Sequence, residues 1–123
     1  DVDATFQRIH TYLKPGGRLL FNWSHPIHKC TQLTEGRLVF CNRYFDEGWY
    51  AAQIGGGEIM LSNRMMSTYI NALAASGFRI ERLIEEGDHE ALCSDQSDFA
   101  QKARIAPVGF VLQARKEGGA RRA

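Results

Sequence analysis

The sequence predicts an α/β fold in a single domain, and three stretches carry that reading. Val2, Phe6, Ile9 and Leu13 are spaced four, three and four apart, which puts them on one face of a helix. Lys14-Pro15-Gly16-Gly17 follows. Proline suits the second position of a tight turn, and glycine takes the positive φ that the third position of a type II turn requires. Arg18-Leu19-Leu20-Phe21-Asn22-Trp23 comes next. It is too apolar for a solvent-facing strand and short enough for a buried one. Helix, tight turn and buried strand make half of a parallel α/β unit.

The first helix runs through Tyr12, with Asp3 as its expected N-cap. The strand after the turn ends in Ser24-His25-Pro26-Ile27-His28. Ligands of open α/β sheets bind beyond the carboxyl ends of the parallel strands, and His25 stands there, restrained to extended geometry by Pro26. It is a candidate base or hydrogen-bond partner for a substrate; the alternative is a half-exposed turn histidine without a role. His28 reads as an ordinary turn residue.

An insertion spans about residues 29–61. Leu38-Val39-Phe40 is strand-like. Arg43-Tyr44-Phe45-Asp46-Glu47-Gly48-Trp49-Tyr50 packs four aromatics into eight residues. Such a cluster either walls a pocket for a small apolar ligand or forms a satellite core. Phe45 is expected in the core, and Tyr44, Trp49 and Tyr50 on the pocket wall. Gly55-Gly56-Gly57 lies between two extended patterns, Trp49 to Ile54 and Glu58 to Leu61, and reads as a hairpin turn rather than a phosphate cradle.

The clearest helix starts at an N-cap of Ser62 or Asn63 and buries Met66, Ile70 and Leu73, with Tyr69 beside them. Gly77 ends it in the left-handed conformation, and Phe78 is the apolar residue expected just after. Met60, Met65 and Met66 read as gap-filling core. Phe78 to Ile84 forms a strand whose charges suit a sheet edge. Glu85 to Ser94 is a polar loop, and Asp95 through Arg104 is weakly helical with Phe99 as its anchor. The last strand runs from Val108 to Ala114. Residues 1–115 make the domain, and 116–123 a frayed tail.

Composition excludes several classes. With 123 residues and a net charge of +1, Lys and Arg leave no electrostatic footprint for nucleic acid. No apolar run approaches the ~20 residues of a membrane span, and the acidic, helical opening does not read as a signal peptide. Cys30, Cys41 and Cys93 share no C-x-x-C spacing. They read as reduced thiols of a cytoplasmic protein, with no metal site.

Leu13-Lys14-Pro15-Gly16-Gly17-Arg18-Leu19-Leu20-Phe21 resembles the segment leading into the fifth strand of class I S-adenosylmethionine (SAM)-dependent methyltransferases. Four further words extend the resemblance over nearly the whole chain: His25-Pro26-Ile27, Tyr44-Phe45-Asp46-Glu47-Gly48, Arg64 leading into YINALAASGF, and the closing PVGFVLQARK. Together they are similar to the small-molecule branch of the ubiquinone/menaquinone-biosynthesis type. The resemblance implies the C-terminal half of a Rossmann-like methyltransferase sheet, a three-layer α/β half-domain of three strands. The last strand would lie between the other two and run antiparallel to them.

The same resemblance implies that the insertion covers the active site. His25 would be the catalytic candidate, with Trp23, Tyr44, Trp49, Tyr50 and Arg64 around the substrate. The family commonly has a His-Arg pair where Asn63-Arg64 stands, so the histidine is replaced. SAM would be the cofactor of the complete enzyme. The glycine-rich loop and ribose-binding acid that hold it are not in this sequence, so this chain alone is expected not to bind SAM. A small-molecule acceptor is the expected substrate, and methyl transfer rests on holding two reactants in line. The alternative is a non-catalytic dimerisation or regulatory module derived from a methyltransferase. In either case the strand 18–23 would have an unpaired edge. A second copy of the chain or the missing N-terminal half is expected to pair with it.

Overall fold

The computed structural model of the chain describes residues 1–87 and 97–117, and of residues 52–54 the backbone alone. Helix α1 spans Val2–Tyr12 and strand β1 Arg18–Ser24. The helix begins earlier than expected. Its N-cap is Asp1, whose side chain accepts the Asp3 N–H at 3.0 Å, so Asp3 lies in the first turn. Phe6 is buried, and Val2, Ile9 and Leu13 pack beside it as the spacing requires. In the turn, the Gly17 N–H donates to the Lys14 carbonyl at 2.7 Å and Gly16 has φ 84°. That is the type II turn read from the sequence.

Strands β2 (Thr31–Thr34) and β3 (Arg37–Phe40) form one hairpin, β4 (Gly48–Ile54) and β5 (Gly57–Asn63) a second. Gly55 and Gly56 turn the second with φ 58° and 83°. Helix α2 (Met66–Ala75) leads through Gly77, at φ 92°, into β6 (Phe78–Glu86). Helix α3 (Asp98–Ala103) precedes β7 (Gly109–Lys116).

The main sheet has the order β1-β7-β6. Strand β7 is antiparallel to both neighbours, so β1 and β6 are parallel to each other. The final strand therefore lies between the other two and reversed, as expected, and among the described residues β6 is an edge. Phe110, Leu112 and Ala114 point from β7 into a core shared with Phe6, Leu73 and Phe78. Each large side chain buried there stabilises the fold by about 1.5–3 kcal/mol.

Helix α1 supplies Phe6 to this core, and helix α2 supplies Tyr69, Ala72 and Leu73. On the other side of the sheet Glu81 accepts Arg115 Nε at 2.6 Å and Gln113 Nε2 at 2.8 Å, and Arg18 approaches it at 3.3 Å. Among the described residues the half-domain thus has two layers rather than three. Strand β1 alternates accordingly: Leu19, Phe21 and Trp23 pack on the core, while Leu20 is 67% exposed. It is a half-buried strand, not the fully buried one its composition suggests.

Several local expectations are corrected. Ser62 and Asn63 end β5 instead of capping α2, whose N-cap is Met65 without a side-chain bond of its own. Phe45 and Met60 are exposed, not core. Phe99 is exposed, and Ala100 and Ala103 anchor α3 instead. Glu85 and Glu86 belong to β6, and Lys116 belongs to β7, where its ammonium donates to the His10 and Leu13 carbonyls, both at 2.9 Å. Cys93, the rest of the polar loop to Ser94, the helix start at Asp95 and the tail from 118 lie outside the described residues. Cys30 and Cys41 are free thiols.

Candidate functional site

Helix α1 runs antiparallel to β1 after its tight turn, so its N-terminus stands at the carboxyl end of β1. Helix α2 starts at the same end, after β5. Between them lies a cleft of about 200 Å³ whose wall is mostly apolar. Phe6 and Phe21 form its inner side, Trp23 and Trp49 flank it, and Arg64 and Tyr69 contribute polar groups. The position agrees with the rule that α/β sheets bind ligands beyond the carboxyl ends of parallel strands.

The walls are held by specific bonds. The indole N–H of Trp23 donates to the Ser62 carbonyl at 3.1 Å, which ties β1 to the second hairpin. Tyr69 packs on Phe21 and Phe110, with centroids 5.4 and 5.2 Å away. Burial pushes its phenol up to about 12. It keeps its proton at neutral pH. Arg64 donates from Nη1 to the Asn63 carbonyl at 2.9 Å.

The insertion is fastened to α2 by two of its own side chains. Glu47 Oε2 accepts the Met65 N–H at 2.8 Å and the Thr68 hydroxyl at 2.6 Å. The Tyr44 hydroxyl accepts the Met66 N–H at 3.0 Å. Burial raises the Glu47 carboxyl, but the Thr68 and Met65 bonds and the Arg64 charge outweigh it, and the net shift is downward. Asn63, where the resembling family commonly has histidine, is buried and donates to the Asp46 carbonyl at 2.7 Å.

Of the residues read from the sequence, Trp23, Trp49 and Arg64 meet in the cleft. Tyr44 caps the helix behind it. Tyr50 lines a separate, smaller hollow with Lys29 and Asn63, and Lys29 stands 6.0 Å over its ring. His25 is buried and lies outside the cleft lining. Its Nδ1 accepts the Ile27 N–H at 3.1 Å, so Nε2 carries the proton and donates to Glu85 Oε2 at 2.8 Å. Nε2 thus ties the end of β1 to the end of β6, and Nδ1 holds the turn that follows β1. Tyr69 and Phe21 were not singled out as site residues. Their helix and strand periodicity marks them equally well as core, and only the tertiary cleft distinguishes them.

Among the described residues, neither long helix offers its N-terminus to a phosphate or a carboxylate. Asp1 caps α1, and Glu47 with Tyr44 caps α2. Gly55 and Gly56 turn a hairpin, not a strand-to-helix loop. Among the described residues no glycine-rich turn leads from a strand into a helix in the way a nucleotide cradle requires.

A sheet with a reversed strand between two parallel ones, helices on one face and a cleft at the carboxyl end defines the C-terminal part of a methyltransferase fold. Structural comparison agrees. The chain matches, over 94% of its length, a SAM-dependent methyltransferase from Mesorhizobium loti with 28% identity and a TM-score of 0.73. It matches, over 95% of its length, a Listeria monocytogenes protein assigned to the same class of methyltransferases with 23% identity and a TM-score of 0.74. It spans 55% of each of these chains. No protein-family model matches the chain, and no curated protein does.

Proposed function

We propose that this chain is the acceptor-side part of a SAM-dependent methyltransferase acting on a small molecule, of the ubiquinone/menaquinone-biosynthesis type. The observation that carries this is the aromatic cleft at the carboxyl end of β1, walled by Trp23 and Trp49, on a fold shared with such methyltransferases. The residues of the chain bind and orient the acceptor and shield it from water. Positioning of this kind supplies most of the rate enhancement when the methyl group is already activated. His25 acts as a positioning residue, setting the end of β1 through Glu85. SAM is held by residues outside this chain.

Two measurements test the reading. The full-length gene product is expected to convert SAM to S-adenosylhomocysteine in the presence of small aromatic acceptors. Absence of turnover with every acceptor, in a folded protein, would leave the non-catalytic reading standing. Calorimetry of the isolated chain with SAM is expected to show no micromolar binding; such binding would mean that the cofactor site lies within these residues. We propose in addition that the free edge of β1 pairs with a second copy of the chain or with the N-terminal half of the methyltransferase sheet. Among the described residues β1 pairs with β7 alone, and no charged side chain between Leu19 and Trp23 repels an incoming strand.

A further inference from the structure

We infer that the cleft is built for a flat acceptor bearing an anionic oxygen, which Arg64 and Tyr69 clamp together. The inference rests on the acceptor-side reading above and names its substrate class.

Arg64 is half-buried in a mostly apolar cleft and forms no ion pair among the described residues. One of its N–H groups goes to the Asn63 carbonyl. A guanidinium presents five donors in a planar fork, so most of them remain for a ligand. Glu47 lies close enough for its charge and that of Arg64 to act on each other, but among the described residues the fork closes on no carboxylate, and a half-buried guanidinium gains from a ligand that it can grip directly. Tyr69 stands in the same cleft. Its ring is buried and fixed between Phe21 and Phe110. Its hydroxyl has no hydrogen-bond partner among the described residues, and the residue lines the cleft.

The remaining donors of Arg64 and the Tyr69 hydroxyl thus belong to residues that line one space. Buried polar groups are normally paired, and the group that satisfies both donors is an oxyanion: a carboxylate, or the ionised oxygen of an acidic enol or phenol. Arg–carboxylate pairing is bidentate and planar. The walls fix the rest of the ligand. Trp23, Trp49, Phe21 and Phe6 offer ring faces and edges, which suit a flat unsaturated body. The acidic group on the rim, Asp1, is already committed: its side chain accepts the Asp3 N–H and its charge favours the α1 N-terminus. Glu47 is committed to Met65 and Thr68. Asp1 therefore does not compete for the fork of Arg64, and Glu47 acts on it by charge without a closed ion pair.

Both tryptophans of the chain line this cleft, so their indole N–H signals report binding at the site. The test titrates the chain with trans-cinnamate and with the neutral isostere cinnamamide. Cinnamate is expected to shift both indole signals and to bind at least about tenfold more tightly than the amide. Arg64→Gln should remove that preference, and Tyr69→Phe should reduce it by about threefold or more, with amide binding unchanged. Equal binding of acid and amide, or a preference that survives both substitutions, would overturn the clamp while leaving the acceptor-side reading intact. Absence of binding by either probe, with wild-type spectra otherwise folded, would overturn it as well. Clamp binding in a full-length product that never consumes SAM would instead sink the methyltransferase reading alone.

Discussion

The carboxylate of Glu47 accepts the hydroxyl of Thr68 at 2.6 Å, across a gap of 21 residues in the chain. A residue of the insertion thereby caps a helix to which it does not belong, because the N-cap of α2, Met65, makes no side-chain capping bond. The cleft wall and the helix that carries Tyr69 are consequently one unit. Glu47→Ala should destabilise the chain by about 1 kcal/mol, the ordinary cost of a lost N-cap. Urea unfolding measures it. Thr68→Ala should cost less in the Glu47→Ala background than in wild type, since the two groups share one bond. Additive costs would show that the bond contributes nothing.

Tyr44 and Trp49 separate by role although they sit in one aromatic cluster. Tyr44→Phe removes the acceptor of the Met66 N–H and should lower stability by about 1 kcal/mol. It should leave the Michaelis constant for acceptor unchanged. Trp49 lines the cleft and is 66% exposed. Trp49→Ala should therefore stay within about 0.5 kcal/mol of wild-type stability and raise the acceptor Michaelis constant in the full-length product. The reverse pattern would place the acceptor against Tyr44 instead.

What could be read from the sequence follows from how local each cause is. The Lys14 to Gly17 turn, the α1 stripe, the glycine hairpin and the Gly77 terminus are fixed by neighbours within a few residues. Each is found where its pattern put it. The reversed position of β7 came from resemblance, since no local pattern reports strand order. Expectations failed where the partner is remote. Ser62 and Asn63 have the chemistry of caps, yet β5 pairing with β4 extends through them, and Glu47 supplies the cap from the insertion. Strand β2 was missed because Thr31-Gln32-Leu33-Thr34 has one large apolar residue to signal it. Of the candidate site, the aromatic and arginine components were legible. Tyr69 was not, because a buried stripe and a cleft floor have the same spacing.

His25 offers a third test. Its ring bonds to Ile27 and Glu85 make it a strut at the end of β1. His25→Asn should lower turnover in the full-length product through misplacement of Trp23, its near neighbour on β1, and should leave the shape of the pH–rate profile unaltered. Loss of one limb of that profile would instead assign His25 a proton-transfer role.

Glu81 sets the expected acid response. Hydrogen bonds from Arg115 and Gln113 hold its carboxyl down to about 2, against an ordinary value of 4.5. A depressed folded value means that the unfolded chain binds the proton first. The contribution is therefore complete above about pH 4.5 and is lost as pH falls toward 2. Glu47 shifts in the same direction. Denaturation midpoints should decline over that window, and Glu81→Gln should flatten the decline. A variant with the wild-type slope would exclude Glu81 as its source.

The β1 edge yields the last test. Among the described residues β1 pairs with β7 alone, so one row of its backbone groups has no partner in the sheet. Leu19, Leu20, Phe21 and Trp23 carry no charge to repel an incoming strand, and a long apolar edge is a template for pairing. Two copies related by a twofold axis would pair this strand antiparallel with itself. The isolated chain should therefore sediment as a dimer at micromolar concentration. Leu20→Lys should shift it to monomer without loss of helix signal, because Leu20 points away from the core. A wild-type monomer whose Leu20 amide exchanges as slowly as that of Leu112 would mean that the edge is covered from within the chain, and self-pairing would be excluded.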